Sequence, residues 1–183
     1  CLNVGCVPSK CLIASSRVAA AFRDSSRFGV GFSSPEVDFG MVMERMRKVR
    51  ARISHVDSAK RYTEELGVDM FLGSAEFSGR NTVKVGGAEL KFTRACISTG
   101  ARAVELPIEG LADVGFLTNE TVFELTEQPK RLAVIGSGPI GCELAQAFQN
   151  LGTQVTVVEM SDQVLGREDR DAAKIVEEQM RRD

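Results

Sequence analysis

The segment from Leu132 to Glu159 constrains the fold more than any other. The apolar run Leu132–Ile135 leads into Gly136-Ser137-Gly138-Pro139-Ile140-Gly141. A helical pattern follows over Ile140–Leu151 with Gly152 as its cap, and then a second apolar run, Gln154–Glu159. Strand, glycine turn, helix and strand in this order define a βαβ start, a unit of parallel sheet. Each glycine in the turn has its own physical reason. Gly136 permits the tight turn, Gly138 lets the backbone approach a pyrophosphate, and Gly141 allows close helix–strand packing. Pro139 and Ile140 open the helix, whose unpaired N–H groups and dipole favour the phosphates. Glu159 lies 18 residues beyond Gly141. A carboxylate there accepts hydrogen bonds from a ribose 2′-hydroxyl and repels a 2′-phosphate, so NADH is expected over NADPH. The bland alternative is a glycine turn in a sheet protein with no nucleotide, and the strand–turn–helix context weighs against it.

A second constellation opens the chain: Cys1-Leu2-Asn3-Val4-Gly5-Cys6-Val7-Pro8-Ser9-Lys10. Residues five apart do not face each other on an ideal helix. A distorted first turn, with Gly5 supplying backbone freedom, can bring the two Cβ atoms to the ~4 Å that a disulfide requires. A small ring beside a helix start is expected to be redox-labile, because N–H groups there favour a thiolate. Lys10 follows Cys6 by one helical turn and puts a cation on the same face. Two bland readings compete. Half of a metal site lacks a second Cys/His cluster, since His55 is the only histidine. A structural disulfide stays open from spacing alone.

The rest of the chain frames these two sites. Helical spacing runs from Pro8 to Phe28, and residues 30–37 read as a loop. A long amphipathic helix is expected over 38–66, with Met41, Val42, Met46, Val49, Ile53 and Val56 on its apolar face and Gly67 as its cap. Short strands are expected at Val68–Leu72, Ala75–Phe77, Thr82–Val85, Ala88–Phe92 and Ala95–Ser98. A last helix runs from about Arg167. The domains expected are a partial domain over 1–108 that carries the cysteine pair, a connection over 109–129 and a partial nucleotide domain over 130–183. A single βαβ start cannot close a doubly wound sheet, so a piece of a larger protein is expected. The formal charge of −2 and the absence of a basic run argue against nucleic acid and anionic membranes. No apolar stretch reaches the ~18 residues of a membrane span. The odd count of five cysteines argues against a secreted disulfide scaffold, and Cys96 and Cys142, set in apolar runs, are expected to be buried.

The segment Cys1–Lys10 resembles the redox-active signature of the class I pyridine nucleotide–disulfide oxidoreductases, a family that includes mercuric reductase, dihydrolipoamide dehydrogenase and glutathione reductase. Cys96-Ile97-Ser98-Thr99-Gly100-Ala101 resembles the family's second flavin-contacting segment, and Gly136–Glu143 its nicotinamide motif. The resemblance implies an α/β fold: fragments of two Rossmann-like, three-layer domains binding FAD and NAD(P)H, with a small antiparallel β insertion. It implies that Cys6 is the sulfur nearest the flavin and Cys1 the interchange thiol. Lys10 would lie near flavin N5, Glu143 would pair with that lysine and touch the nicotinamide, and Ala75, Ser98, Thr99 and Gly100 would belong to the cofactor site. Hydride would pass from NAD(P)H to the flavin and electrons onward to a Cys1–Cys6 disulfide, or the reverse in dehydrogenase members.

There are departures from the family pattern. Pro139 stands where many relatives carry an aromatic gate, and the catalytic His–Glu pair of a C-terminal domain is not in this sequence, so the fragment alone is expected to be inactive. For the substrate, the stretch from Phe116 to Thr126 and the segment around Pro139–Glu143 resemble the mercuric-reductase branch and imply Hg(II). Leu2 and Glu159 also suit an NAD-linked dihydrolipoamide dehydrogenase, and Glu159 counts against the mercuric-reductase branch, whose members generally favour NADPH. A nucleotide-binding module with a structural disulfide and no catalysis is the alternative from another class. The implied full-length protein is a cytoplasmic homodimer.

Overall fold

The structure is a computed structural model and describes residues 1–31 and 36–183. The loop expected at 30–37 lies partly outside the described residues. The chain is mixed α/β and divides into two compact units, Cys1–Arg52 with Leu117–Asp183, and Ile53–Phe116.

The first unit begins with helix α1, Cys6–Asp24, which passes into a 3₁₀ turn, Ser25–Phe28. The helix starts two residues before the expected Pro8. Pro8 still fits, because first-turn N–H groups have no partner within a helix. Helix α2 spans Phe39–Ser54. In the returning segment a 3₁₀ turn, Val122–Glu124, precedes the βαβ start: a strand at Arg131–Ile135, a helix at Pro139–Asn150 and a strand at Gln154–Val158. A final helix covers Arg170–Arg182, with Asp169 Oδ1 accepting from the N–H groups of Asp171 and Ala172 as its cap. The two strands of this unit pair in parallel, from Arg131 opposite Gln154 to Ile135 opposite Val158.

The core of this unit gathers Cys11 and Leu12 from α1, Phe39, Met43 and Met46 from α2, Val122 and Phe123 from the 3₁₀ turn, and Phe148 and Leu151 from the end of the βαβ helix. Leu12, Met43, Met46 and Phe148 have no exposed surface. The rings of Phe39 and Phe148 lie 6.0 Å apart at 36°. Phe39, Val42, Met43, Met46 and Val49 make the inward face of α2 at helical spacing, with Met41 turned out to solvent. That is a correction of the apolar face read from sequence.

The second unit carries a three-stranded antiparallel meander, β1 Ala75–Gly79, β2 Thr82–Val85 and β3 Ala88–Lys91. In chain order the strands of the first unit are therefore β4 (Arg131–Ile135) and β5 (Gln154–Val158). Between β2 and β3 both Gly86 and Gly87 have positive φ, +54° and +83°, as a two-residue type I′ hairpin turn demands. Helix α3 is the short Leu111–Val114; the βαβ helix is α4 and the final helix α5.

Three sequence expectations need correction. The helix over 38–66 is broken. It stops at Ser54, turns at 55–57, and resumes as a short segment that includes a π-helical turn at Arg61–Glu65. Ser58 causes the restart: its Oγ accepts from Arg61 N at 3.2 Å and donates to His55 O at 2.8 Å, the bonding of an N-cap. Gly67, at φ +65°, ends the segment as expected. Val68–Leu72 and Ala95–Ser98 are not strands. A strand exists only through a hydrogen-bonded neighbour, and neither stretch belongs to the sheets of the described residues. Cys96, in the second of these stretches, is exposed rather than buried, its Sγ 3.3 Å from Ser98 Oγ.

Candidate active site

Cys6 is the first residue of α1, with Gly5 at the N-cap. The loop before it folds back tightly: Val7 N–H donates to Cys1 O, and Ser9 N–H to Gly5 O, each at 3.1 Å. A Cβ at Gly5 would stand 3.1 Å from Cys1 Cα, so a side chain there would push the loop open by a few tenths of an ångström. The result brings Cys1 Sγ to 2.8 Å from Cys6 Sγ, both thiols free and exposed. A disulfide bond is about 2.0 Å long, so the pair can be joined by a small movement.

One turn further along α1, Lys10 Nζ donates to Glu143 Oε2 at 2.5 Å. The two residues lie 133 positions apart, and their side chains are 58% and 42% exposed. The packing of α1 against α4 through Leu12 and Phe148 brings them together. One pair of helices thus carries both the sulfur pair and the first turn after the glycine motif.

The glycine turn has the geometry expected of it. Gly136 has φ +97°. A Cβ at Gly141 would come within 2.2 Å of Gly136 O, so α4 lies directly against the turn. At Gly138, the N-cap, an added Cβ would meet nothing within 4 Å, and no side chain caps the helix. Pro139 and Ile140 are exposed in the first turn. This open, uncapped helix start fits a phosphate group.

Glu159, just past β5, is held more firmly than the sequence indicated. Its Oε2 accepts from Ser137 Oγ at 2.6 Å and Ser137 N at 2.7 Å; its Oε1 accepts from Met160 N at 2.8 Å and Ser161 N at 2.9 Å. The Ser137 hydroxyl, then the N–H groups of Ser161, Ser137 and Met160, hold its carboxyl down at about 2. Ser137 is fully buried, and its carbonyl accepts from Leu165 N at 2.9 Å and from the Cys142 thiol at 3.1 Å. Burial, and next the Glu159 charge, push the Cys142 thiol up. Sequence reasoning missed Ser137; the only signal was a hydroxyl between two motif glycines. Ala75 opens β1, and Ser98, Thr99 and Gly100 are exposed and irregular, with Gly100 at φ +73°; all four belong to the second unit.

These features place the chain in a class of nucleotide-binding folds with a neighbouring dithiol. Residues 1–183 match the pyridine nucleotide-disulphide oxidoreductase family, and the chain belongs to it. It is 36% identical over 177 residues to the mercuric reductase of Lysinibacillus sphaericus, covering 97% of this chain and 32% of that protein. It is 36% identical over 183 residues to dihydrolipoyl dehydrogenase 2 of Haloarcula marismortui, covering 96% and 38%. The Cu(II) complex of the HOCl-induced flavoprotein disulfide reductase RclA from Escherichia coli matches with a TM-score of 0.76 at 28% identity, over 99% of this chain and 38% of that one. The chain spans roughly a third of the length of these relatives.

Proposed function

We propose that the protein carrying this chain passes two electrons between NADH and a Cys1–Cys6 redox pair through a flavin, with Hg(II) as its final acceptor. The observation that carries the reading is the approach of the two sulfurs, 2.8 Å, at the start of the helix whose Lys10 is paired with Glu143 of α4. Residues 1–108 would belong to the FAD domain and 130–183 to the NAD(P)H domain, joined by 109–129. The donor set fits both groups: an uncapped helix start at Gly138 for a pyrophosphate, and an exposed thiol, cation and carboxylate at Cys6, Lys10 and Glu143. When bound, the flavin supplies the electron relay between nicotinamide and sulfur.

The chain's own residues do the rest. Gly136, Gly138 and Gly141, with Pro139 and Ile140, admit the pyrophosphate, and the carboxylate of Glu159 disfavours a 2′-phosphate. Lys10 and Glu143 would set the charge beside the nicotinamide and flavin, and Ala75, Ser98, Thr99 and Gly100, in the second unit, are the further flavin-contacting residues that the resemblance implies. Cys1 exchanges with substrate while Cys6 keeps to the helix start. Soft thiolates suit a soft metal, and the balance is NADH plus Hg(II) giving NAD⁺, a proton and metallic mercury. Relatives named mercuric reductase from three bacteria support this substrate. Equal identity to a dihydrolipoyl dehydrogenase supports the second reading, NAD-linked oxidation of dihydrolipoamide. Among the described residues no helix is long and apolar enough to cross a membrane; a cytoplasmic homodimer is the setting that goes with the proposal.

The test uses the flavin-loaded full-length protein, comparing NADH oxidation driven by Hg(II) with NADH formation from dihydrolipoamide. Cys1→Ser or Cys6→Ser is expected to abolish either reaction and to spare hydride transfer from NADH to flavin. Full turnover in either variant would end the assignment of Cys1 and Cys6 as the redox pair.

A further inference from the structure

Two carbonyls inside the Cys1–Cys6 loop are held from outside it. Arg50 Nη1 donates to Asn3 O at 3.1 Å, and Asn119 Nδ2 donates to Val4 O at 3.2 Å. The donors come from unrelated places in the chain. Arg50 sits near the end of α2, a helix fixed in the core by Met43 and Met46. Asn119 lies in a turn closed by Thr118 and Thr121, where Thr118 N–H donates to Thr121 Oγ1 at 3.0 Å and Glu120 N–H to Thr118 Oγ1 at 3.1 Å. That turn runs directly into the buried Val122 and Phe123. Both donors are thus mounted on packed elements, and both reach consecutive peptide groups between the two sulfurs.

We propose that Arg50 and Asn119 are positioning residues of the dithiol, holding the loop in its bond-forming geometry after the sulfur–sulfur bond has opened. The proposal rests on reading Cys1 and Cys6 as a redox pair. An open loop gains backbone freedom, and that freedom must be lost again before the bond can re-form. Two external donors remove much of it in advance, which raises the effective concentration of one thiol at the other. The exchange is balanced: the two thiols give two electrons and two protons to an external disulfide, forming the Cys1–Cys6 bond and two external thiols.

The experiment equilibrates the flavin-loaded full-length enzyme anaerobically with glutathione and glutathione disulfide, then reads the state of Cys1 and Cys6 by alkylation and mass spectrometry. Arg50→Met and Asn119→Ala are each expected to lower the disulfide-forming equilibrium constant about twofold, less than the full worth of a hydrogen bond because the bond is made in both states. Asn119→Leu, which keeps the bulk and loses the donor, should match Asn119→Ala, while Arg50→Lys should restore most of the wild-type value. Hydride transfer from NADH to flavin should stay unchanged, and the melting temperature should fall by no more than a few degrees, as the loss of one hydrogen bond dictates. An unchanged constant in a wild-type background that forms the disulfide overturns the positioning role and leaves the redox reading intact. A fall that merely tracks lost thermal stability also overturns it. A wild-type enzyme in which the two sulfurs never join overturns the reading beneath it.

Discussion

Glu159 accepts four hydrogen bonds on two oxygens, and the sign of its effect follows from that. Its carboxyl is held at about 2 in the folded chain against an ordinary value of 4.5. The unfolded chain therefore takes up the proton first as pH falls, so Glu159 stabilises the fold above about 4.5 and loses that contribution as pH drops toward about 2. In Glu159→Gln, denaturant midpoints measured across that window should depend less on pH than in the wild type. Lys10 gives a different kind of prediction. Its pairing with Glu143 is largely exposed, and such pairs contribute under about 1 kcal/mol. Lys10→Met should leave urea unfolding within about that margin while slowing reduction of the flavin by NADH in stopped-flow. At this scale the sequence was legible where chemistry fixes residue type at short spacing, as at Cys1, Cys6 and the three glycines. It was illegible at Ser137, Arg50 and Asn119, whose partners lie 22, 47 and 115 positions away.

Among the elements, the turn from β4 into α4 is the most sharply determined. Gly141→Ala would drive a methyl against Gly136 O, a backbone atom that cannot rotate away. A loss of about 1–3 kcal/mol in chemical denaturation is expected, together with weaker NADH binding. The restart of the helix at Ser58 rests on one hydroxyl, so Ser58→Ala should cost about 1 kcal/mol by the same measurement. β4, α4 and β5 were readable because their periodicity and glycine punctuation agree. The break after Ser54 was not, because the apolar pattern continues through it while the hydroxyl of Ser58 offers the backbone another set of bonds. Val68–Leu72 and Ala95–Ser98 have strand composition, yet composition supplies no neighbour to pair with.

For the molecule as a whole, the core of the first unit is assembled from segments far apart in sequence. Leu12 and Phe148 are both fully buried in it. Leu12→Ala should cost about 2–5 kcal/mol and Phe148→Ala about 3–5. Hydrogen exchange should show each loss spread over α1, α2 and α4 together rather than confined to the mutated helix. The chain leaves this unit at Arg52 and re-enters it at Leu117. During synthesis, then, the sulfur-bearing helix emerges long before Phe148, the side chain that covers it. At ~5–20 residues per second that interval lasts many seconds, during which the part of α1 that α4 will cover is open to chaperones.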